Sequence, residues 1–460
     1  MIRPLRIFRH YVPALTLALF LGDAALLTAA ALLGVRLAGA AGADPTLRLP
    51  AAAAAVLLGL LALVVAGVYD LGARPRTAEL LVRVLAAAAL WGVLAGAVAF
   101  ALPALRPGRL AWFAAILLGA AGTILLRGLL RLLPSAPLRE RLLFLGATPV
   151  AARLIAEVEA RHPTYDILGY VDDSPGDAAP TNGFRVLGPG QRLAEIATAT
   201  RAGTIVVALT ERRGRLPLPE ILDCKLRGIR VEDWPAFYEK LTGKILVQNL
   251  RPSWLVFSEG FARTRGTRMI KRLADLVLSA LFFLGGWPVF LLVALAIKLD
   301  SPGPVLFRQE RVGEGGGTFW LLKFRTMVKD AETLTGPVWA TQADPRVTRV
   351  GRWLRATRLD EFPQLLNVLR GEMSFIGPRP ERPHFVAKLQ ERIPYYAQRH
   401  TIKPGITGWA QVCYRYGATV QDAEEKLQYD LYYIKNMSPF LDLLILVASV
   451  QVVLLGKGAR

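Results

Sequence analysis

Residues 276–299 read LVLSALFFLGGWPVFLLVALAIKL, an apolar stretch long enough to cross the hydrocarbon core of a bilayer. Gly285-Gly286-Trp287-Pro288 interrupts it, and proline removes a helix hydrogen bond, so a bend is predicted there. Basic residues flank both ends, whereas a spanning helix is expected to carry them mainly on one side. The pattern favours a re-entrant helix, broken at Trp287 and Pro288, that enters and leaves on the cytoplasmic face. Periodicity alone leaves open a spanning helix with a proline kink.

Four more apolar stretches precede it, at about residues 12–35, 51–69, 84–104 and 110–130, each near the length of a membrane span. Twelve arginines lie next to the ends of these stretches. If each stretch crosses the membrane, eight of the arginines fall on one side of it and four on the other. The positive-inside rule then places both ends of this segment in the cytoplasm. Residues 1–133 are therefore predicted to form a four-helix transmembrane bundle in a multi-pass membrane protein, with the rest of the chain facing the cytoplasm.

Residues 134–260 alternate between strand and helix patterns, and their 16 basic and 15 acidic residues nearly balance. This predicts a cytoplasmic α/β module of the doubly wound, Rossmann-like type. Its glycine loop is degenerate, because Thr148 and Ala151 replace the second and third glycines that follow Gly146 in a dinucleotide-binding loop. We therefore expect a structural or regulatory module rather than a working cofactor site. The module also offers a surface for a homodimer.

The net charge of +20 comes from the two ends of the chain, since residues 1–133 carry +8 and residues 260–460 carry +11. Such ends suit anionic lipid head groups or phosphorylated substrates. Nucleic acid is the rival partner, but a long apolar N-terminal segment disfavours it, and we expect none. Two cysteines in different segments argue against a disulfide framework, and the four scattered histidines give no zinc pattern.

Residues 261–460 combine the interrupted apolar stretch with a predicted, mainly helical catalytic domain. Several cations in its motifs surround one carboxylate pair, Asp360 and Glu361, which predicts an anion site with an acid inside it. A carboxylate in such a site can attack phosphorus as a nucleophile. The alternative for Asp360 is a simple N-cap of a helix over residues 361–370 that ends at Gly371. Four cation-rich motifs together favour the chemical role.

From about Lys271 to Arg460 the chain resembles the bacterial sugar transferases, the monotopic polyprenyl-phosphate phosphoglycosyl transferases. Seven motifs in order carry the resemblance: Asp300-Ser-Pro-Gly-Pro304, Lys323-Phe-Arg-Thr-Met327, Leu359-Asp-Glu-Phe-Pro-Gln364, Gly371-Glu-Met-Ser374, Gly377-Pro-Arg-Pro380, Pro404-Gly-Ile-Thr-Gly-Trp-Ala-Gln411 and Tyr429-Asp-Leu-Tyr-Tyr-Ile-Lys-Asn436. The N-terminal architecture resembles the long members that initiate exopolysaccharide, capsule or O-antigen synthesis.

The resemblance implies a role for each matching residue. Asp360 would be the nucleophile that takes the phospho-sugar from a UDP-sugar and releases UMP, and polyprenyl phosphate would then accept it. Glu361 would complete the pair, and Mg²⁺ bound at Asp360 would bridge to the diphosphate. The cations expected near the phosphates are Lys323, Arg325, Arg355 and Arg379. Asp430 and Lys403 are further candidates for the site.

Two other classes of function remain as alternatives at this point. A membrane-tethered Rossmann-type enzyme that modifies nucleotide sugars would need an intact glycine loop and a Tyr-x-x-x-Lys pair. A non-enzymatic scaffold of a polysaccharide assembly system would not need Asp360 and Glu361 among arginines. The sequence does not fix which sugar is transferred.

Overall fold

The computed structural model describes residues 5–7, 10–12, 14–37, 48–69, 77–102, 109–132, 139–161, 164–173, 183–209, 216–249, 260–261, 264–328, 344–414, 417 and 419–454. The chain divides into two compact units. The first comprises residues 1–7 and 11–242, and the second comprises residues 8–10 and 243–460. Ile245 and Val247 lie in the hydrophobic core of the second unit, which therefore begins before the predicted boundary at residue 261.

The described chain opens with short strands β1 (Leu5–Ile7) and β2 (His10–Val12), and the first unit continues with four apolar helices. Helix α1 packs against α2 and α4, and α3 packs against the same two helices. Among the described residues, α1, α3 and α4 are long and apolar enough to cross a membrane, whereas α2 is shorter than the predicted span over residues 51–69. A turn with Gly67 in the left-handed region, at φ 71°, follows α2. The bounds are α1 Ala14–Leu37, α2 Arg48–Val65, α3 Thr77–Ala101 and α4 Arg109–Leu132.

A buried ion pair joins α1 to α4 inside this bundle. The two Nη atoms of Arg127 donate to the Asp23 carboxylate, at 3.0 and 2.9 Å, and Asp23 is fully buried. Tyr69 and Thr123 also donate hydrogen bonds to that carboxylate, at 2.8 and 3.1 Å. The charge is therefore satisfied inside the bundle, as apolar surroundings require.

The rest of the first unit is a small α/β domain built on one four-stranded sheet. Its four strands are parallel and lie in the order β4-β3-β5-β6, with helices between them along the chain. Strands β3 and β5 are almost entirely buried, which explains their continuous apolar sequences. The bounds are β3 Glu140–Leu145, α5 Pro149–Arg161, β4 Tyr165–Val171, α6 Leu193–Ala199, β5 Thr204–Val207, α7 Leu218–Leu226, β6 Arg230–Asp233 and α8 Trp234–Thr242.

The second unit begins its regular structure with α9, a 36-residue helix from Arg265 to Asp300. The helix continues through Trp287 and Pro288, so the predicted break is not an interruption of the helix. Its surface is largely apolar and exposed, and it is long and apolar enough to enter a membrane. Two acidic residues of α9, Asp275 and Asp300, flank its apolar stretch and accept backbone hydrogen bonds from Phe375 and Val350 of the same unit.

Some of the remaining elements pack against one side of α9, and together they carry the motifs. An antiparallel hairpin, β7–β8, is followed by short helices, and α15 packs its Leu441 and Ile445 into the core. The predicted helix over residues 361–370 is shorter, because Pro363 precedes its first helical residue, and it ends at Gly371 in the left-handed region. The bounds are β7 Leu306–Val312, β8 Thr318–Phe324, α10 Arg349–Thr357, α11 Gln364–Arg370, β9 Ser374–Ile376, α12 Pro383–Arg392, β10 Gly405–Thr407, α13 Trp409–Cys413, α14 Val420–Asn436 and α15 Pro439–Leu454.

Candidate active site

A tight reversal between α10 and α11 presents Asp360 and Glu361. Arg358 ends α10 in the left-handed region, at φ 60° and ψ 14°, and a 3-10 turn over Leu359–Glu361 follows at once. A non-glycine residue in that conformation costs roughly 1 kcal/mol, and such strain is common at functional sites. Neither the 3-10 turn nor α11 has a side-chain N-cap, so Asp360 does not serve as the cap that the alternative required.

Aromatic packing seats this turn directly on α9. The ring of Phe362 makes an edge contact with Phe290, with ring centroids 5.0 Å apart, and Phe290 also packs against Phe324 of β8. Gly286 makes the approach possible, because a Cβ atom there would lie 2.6 Å from the Phe362 ring. The glycine beside Trp287 and Pro288 therefore serves close packing between the apolar helix and the candidate site.

Glu361 is held by two cations. Arg379 donates through Nη2 to Oε1 at 2.6 Å and through Nη1 to Oε2 at 3.5 Å, and Lys323 Nζ lies 3.5 Å from Oε1. Burial alone would raise the pKa of Glu361, but Arg379 and Lys323 outweigh it and hold the pKa well below the usual range. Burial lowers the pKa of Lys323, and Glu361 opposes that change. Glu361 is thus a fixed anion within a cationic setting.

Asp360, the neighbouring carboxylate, is in a different state. It is 9% exposed, and among the described residues it has no hydrogen bond or ion pair. Burial raises its pKa, while Lys323 opposes the rise and Glu361 adds to it. A buried carboxylate that has a raised pKa and is not bound by any of the described residues can attack an electrophile or bind a cation.

The four predicted phosphate ligands fall into two groups. Lys323 and Arg379 meet at Glu361. Arg355 donates through Nε to Thr326 at 3.0 Å, and its charge opposes the rise that burial causes in the pKa of Asp360. Arg325 points elsewhere: its hydrogen bonds go to the end of α9, to the Ser301 and Pro302 carbonyls at 2.7 and 3.0 Å. Arg325 therefore joins β8 to the last turn of α9 and is not brought together with the other three.

The further candidates lie away from the carboxylate pair. Lys403 lies beside Gly371 at the opposite end of α11, where Arg272 donates to the Val368 and Leu369 carbonyls at 2.6 and 3.0 Å. Asp430 is buried in an ion pair with Arg399. Arg399 also donates a hydrogen bond to the Arg379 carbonyl, a link that the sequence did not indicate. Trp287 is half-exposed on α9.

The donor chemistry of the site can be compared with what Mg²⁺ requires. No cluster of three or more acidic, histidine or cysteine side chains occurs within the part of the chain that the structure describes. Mg²⁺ commonly uses one or two carboxylates together with substrate phosphates and water. Asp360 is one carboxylate with no bound partner among the described residues. The residues therefore fit a Mg²⁺ ion that is held jointly by Asp360 and a substrate, and not one enclosed by protein ligands alone.

A buried carboxylate pair among cations, packed on an apolar helix that is long enough to cross a membrane, is an arrangement that can bind phosphate groups and attack phosphorus. A family model described as bacterial sugar transferase matches residues 266–456. An exopolysaccharide production protein PSS of Rhizobium leguminosarum bv. phaseoli is 43% identical over 198 residues, which cover 41% of this chain and 98% of that protein. The chain belongs to the bacterial sugar transferase family.

Two longer relatives are also similar. The UDP-N-acetylgalactosamine-undecaprenyl-phosphate N-acetylgalactosaminephosphotransferase of Aeromonas hydrophila is 42% identical over 237 residues, 52% of this chain and 55% of that protein. The UDP-glucose:undecaprenyl-phosphate glucose-1-phosphate transferase of Xanthomonas campestris pv. campestris is 38% identical over 258 residues, 55% of this chain and 50% of that protein. The chain thus spans about half the length of these curated relatives.

Proposed function

We propose that this chain transfers a sugar 1-phosphate from a UDP-sugar to polyprenyl phosphate, giving a polyprenyl-diphosphate-sugar and UMP. The relatives' names support this donor and acceptor class. The observation that carries the proposal is the contrast between Asp360, which is buried and unpaired among the described residues, and Glu361, which Arg379 and Lys323 hold as an anion. The reaction would initiate exopolysaccharide, capsule or O-antigen synthesis at the bacterial inner membrane.

The transfer would take place in two displacements at the same phosphorus. A carboxylate oxygen of Asp360 attacks the phosphorus that bears the sugar, and the bond from that phosphorus to the UMP oxygen breaks, so UMP leaves with the electron pair. An oxygen of polyprenyl phosphate then attacks the aspartyl phospho-sugar, and the Asp360 carboxylate leaves. Arg379, Lys323 and Arg355 would bind the phosphate oxygens and stabilise their charge.

When bound, Mg²⁺ would neutralise charge that develops on the diphosphate. Asp360 is the residue of this chain that would hold it. Glu361 remains bound to Arg379, so that the arginine keeps one orientation while substrate enters and leaves.

The position of α9 supports an acceptor that arrives within the bilayer. The dyad, Asp360 and Glu361, lies in the turn that Phe362 packs against Gly286 and Phe290, in the middle of the apolar helix. Both ends of the apolar stretch of α9, residues 276–299, are followed or preceded by a carboxylate that binds the same compact unit, Asp275 on one side and Asp300 on the other. We propose on this basis that α9 is re-entrant, with a bend at Pro288 inside the continuous helix, and that its two ends lie on the cytoplasmic face.

A topology experiment tests this arrangement. Reporters fused after Arg139 and after Lys323 are expected to read cytoplasmic, because the two positions precede and follow α9 and a re-entrant helix returns the chain to its starting side. A fusion within residues 38–47 is the matched control and is expected on the opposite side. Arg139 and Lys323 fusions that fall on opposite sides would make α9 a spanning helix.

The sheet of the first unit supports a Rossmann-like module that does not bind a dinucleotide. Its strand order is that of a doubly wound sheet, in which ligands bind where the strand order reverses, here at the ends of β3 and β5. At that point, groups of the protein itself occupy the hydrogen-bonding positions that a ligand would use. The Ala147 N–H donates to Asp172 at 2.7 Å, and the Thr148 hydroxyl donates to the Ala208 carbonyl at 2.8 Å.

We therefore expect the full-length protein in detergent to show no micromolar affinity for NADH or NADPH in calorimetry. The loop N–H that a pyrophosphate would use is already bound to Asp172, and the second loop glycine is Thr148. A UDP-sugar titrated into the same preparation serves as the control for an intact protein. Micromolar binding of either dinucleotide would overturn this account of the module.

The transfer itself is tested with radiolabelled UDP-sugars and polyprenyl phosphate in detergent or nanodiscs. A panel of UDP-glucose, UDP-galactose and their N-acetylamino derivatives is expected to give labelled lipid and UMP with at least one member. Absence of label in lipid with the whole panel, from protein that is folded and contains Mg²⁺, would reject the proposed substrates.

A further inference from the structure

Arg399 is a buried arginine in a 3-10 turn over Tyr396–Thr401, next to the loop that carries Arg379. The Arg399 guanidinium is 6% exposed and contacts three groups. Nη1 donates to the Tyr396 hydroxyl at 2.5 Å, Nη2 donates to the Arg379 carbonyl at 3.0 Å, and Nη2 also lies 2.9 Å from Asp430 Oδ2. The contact with Asp430 is an ion pair without the alignment of a good hydrogen bond. Asp430, on α14, is 2% exposed.

The loop that carries Arg379 is fixed from two sides. Arg399 binds the Arg379 carbonyl, and Arg311 of the β7–β8 hairpin donates to the Pro380 carbonyl at 3.0 Å. The side chain of Arg379 then reaches Glu361 at 2.6 Å. A continuous path of contacts therefore runs from Asp430 through Arg399 and Arg379 to Glu361, beside Asp360.

Stability alone is a weak reason for such a pair. Removing two charges from water costs several kcal/mol per ion in typical proteins, and apolar replacements of buried pairs are often as stable. A pair kept for packing would not need an arginine whose fork also binds a backbone carbonyl of the neighbouring active-site loop. Burial raises the pKa of Asp430 to about 6 while Arg399 opposes the rise, so the pair is charged at neutral pH.

We propose that Asp430 and Arg399 are positioning residues: Asp430 orients Arg399, and Arg399 holds the Arg379 backbone so that the Arg379 side chain is directed at Glu361. This inference rests on the proposed function, since it concerns the alignment of the same site. Neither residue touches the reacting atoms.

The experiment compares Asp430→Asn, Arg399→Lys and a matched control, Glu425→Gln. Glu425 is a partly buried residue on the same helix α14, and its ion pair with Lys244 does not contact Arg399. Each full-length variant is assayed for steady-state UMP release with polyprenyl phosphate and saturating UDP-sugar, and rates are divided by the folded fraction from thermal unfolding. Lysine at 399 keeps a positive charge near Asp430, but its single Nζ cannot reproduce the three-way contact.

Asp430→Asn and Arg399→Lys are expected to lower kcat about tenfold to a hundredfold, a loss that more donor does not restore, because small displacements of catalytic groups have effects of that size. Glu425→Gln is expected to stay within about twofold of the parent, since α14 loses only a distant ion pair. Parent-like kcat per folded molecule in both Asp430→Asn and Arg399→Lys would overturn the proposal.

If neither variant folds, the pair is a structural requirement and the positioning role is rejected. If Asp430→Asn alone fails to fold, Arg399→Lys decides by the same criterion. Asp360→Asn is run in parallel. Full activity of that variant would reject the proposed mechanism, whereas an inactive Asp360→Asn beside fully active Asp430→Asn and Arg399→Lys would reject only the positioning role.

Discussion

Asp360→Asn is expected to abolish both lipid-linked sugar formation and the UMP release that occurs without acceptor lipid. If Asp360 is the nucleophile, the first half-reaction needs no lipid, so the parent protein should release UMP in a burst. Asparagine has the same size but cannot form the aspartyl phospho-sugar, and we expect a fall of at least about a thousandfold in either rate. Rapid quenching and chromatography of UMP measure the burst.

The same substitution should not cost stability. Burial raises the pKa of Asp360, so the folded protein binds this proton more tightly than the unfolded chain does. As pH rises past the unfolded value of an aspartate, the ionised side chain therefore lowers stability progressively. Asparagine removes that charge, and the melting temperature at pH 8 should equal or exceed that of the parent. A clearly less stable Asp360→Asn protein would indicate a structural role for Asp360, and robust turnover would reject the nucleophile.

Glu361→Gln is expected to behave in the opposite way, with a large loss of stability as well as of turnover. Arg379 and Lys323 hold the pKa of Glu361 below its usual range against the effect of burial. Its stabilising contribution is therefore present above the unfolded pKa of a glutamate and is lost as pH falls through the folded value. Breaking a buried pair on one side costs roughly 3 kcal/mol or more. Thermal unfolding at pH 8 measures this effect.

The control for that measurement is Glu391→Gln. Glu391 is an exposed acid on α12, and its replacement should change stability by less than about 0.5 kcal/mol. The difference between Glu361→Gln and the parent should shrink as pH falls below roughly 4, where the unfolded glutamate takes up its proton. An unchanged melting temperature for Glu361→Gln at pH 8 would contradict the ion-pair geometry.

The sequence predicted the parts of the site that depend on short motifs. Asp360 and Glu361 are adjacent in the chain, and the cations Lys323 and Arg379 that meet at Glu361 belong to motifs rich in glycine and proline. Arg325 shows the limit of this reasoning. It belongs to the same motif as Lys323, yet its hydrogen bonds go to the end of α9, because a sequence does not tell which face of a strand end meets which neighbour.

Other features depend on tertiary packing and had no signal in the sequence. Arg399 lies 20 residues from the Arg379 carbonyl that it binds, and such side-chain to backbone bonds follow from loop geometry, not from periodicity. The pair of Asp23 and Arg127 is separated by 104 residues and appears only once α1 and α4 pack. The apolar pattern of residues 51–69 likewise predicted a longer helix than α2, because it did not mark the turn at Gly67.

The most direct test of the proposed mechanism is mass spectrometry of the protein mixed with UDP-sugar and Mg²⁺, quenched before any acceptor lipid is added. A covalent route through Asp360 predicts a phospho-sugar adduct on the peptide that contains Asp360, formed as UMP appears and removed when polyprenyl phosphate is added. An adduct on any other residue, or transfer to lipid with no adduct at any quench time and no UMP burst, would contradict it.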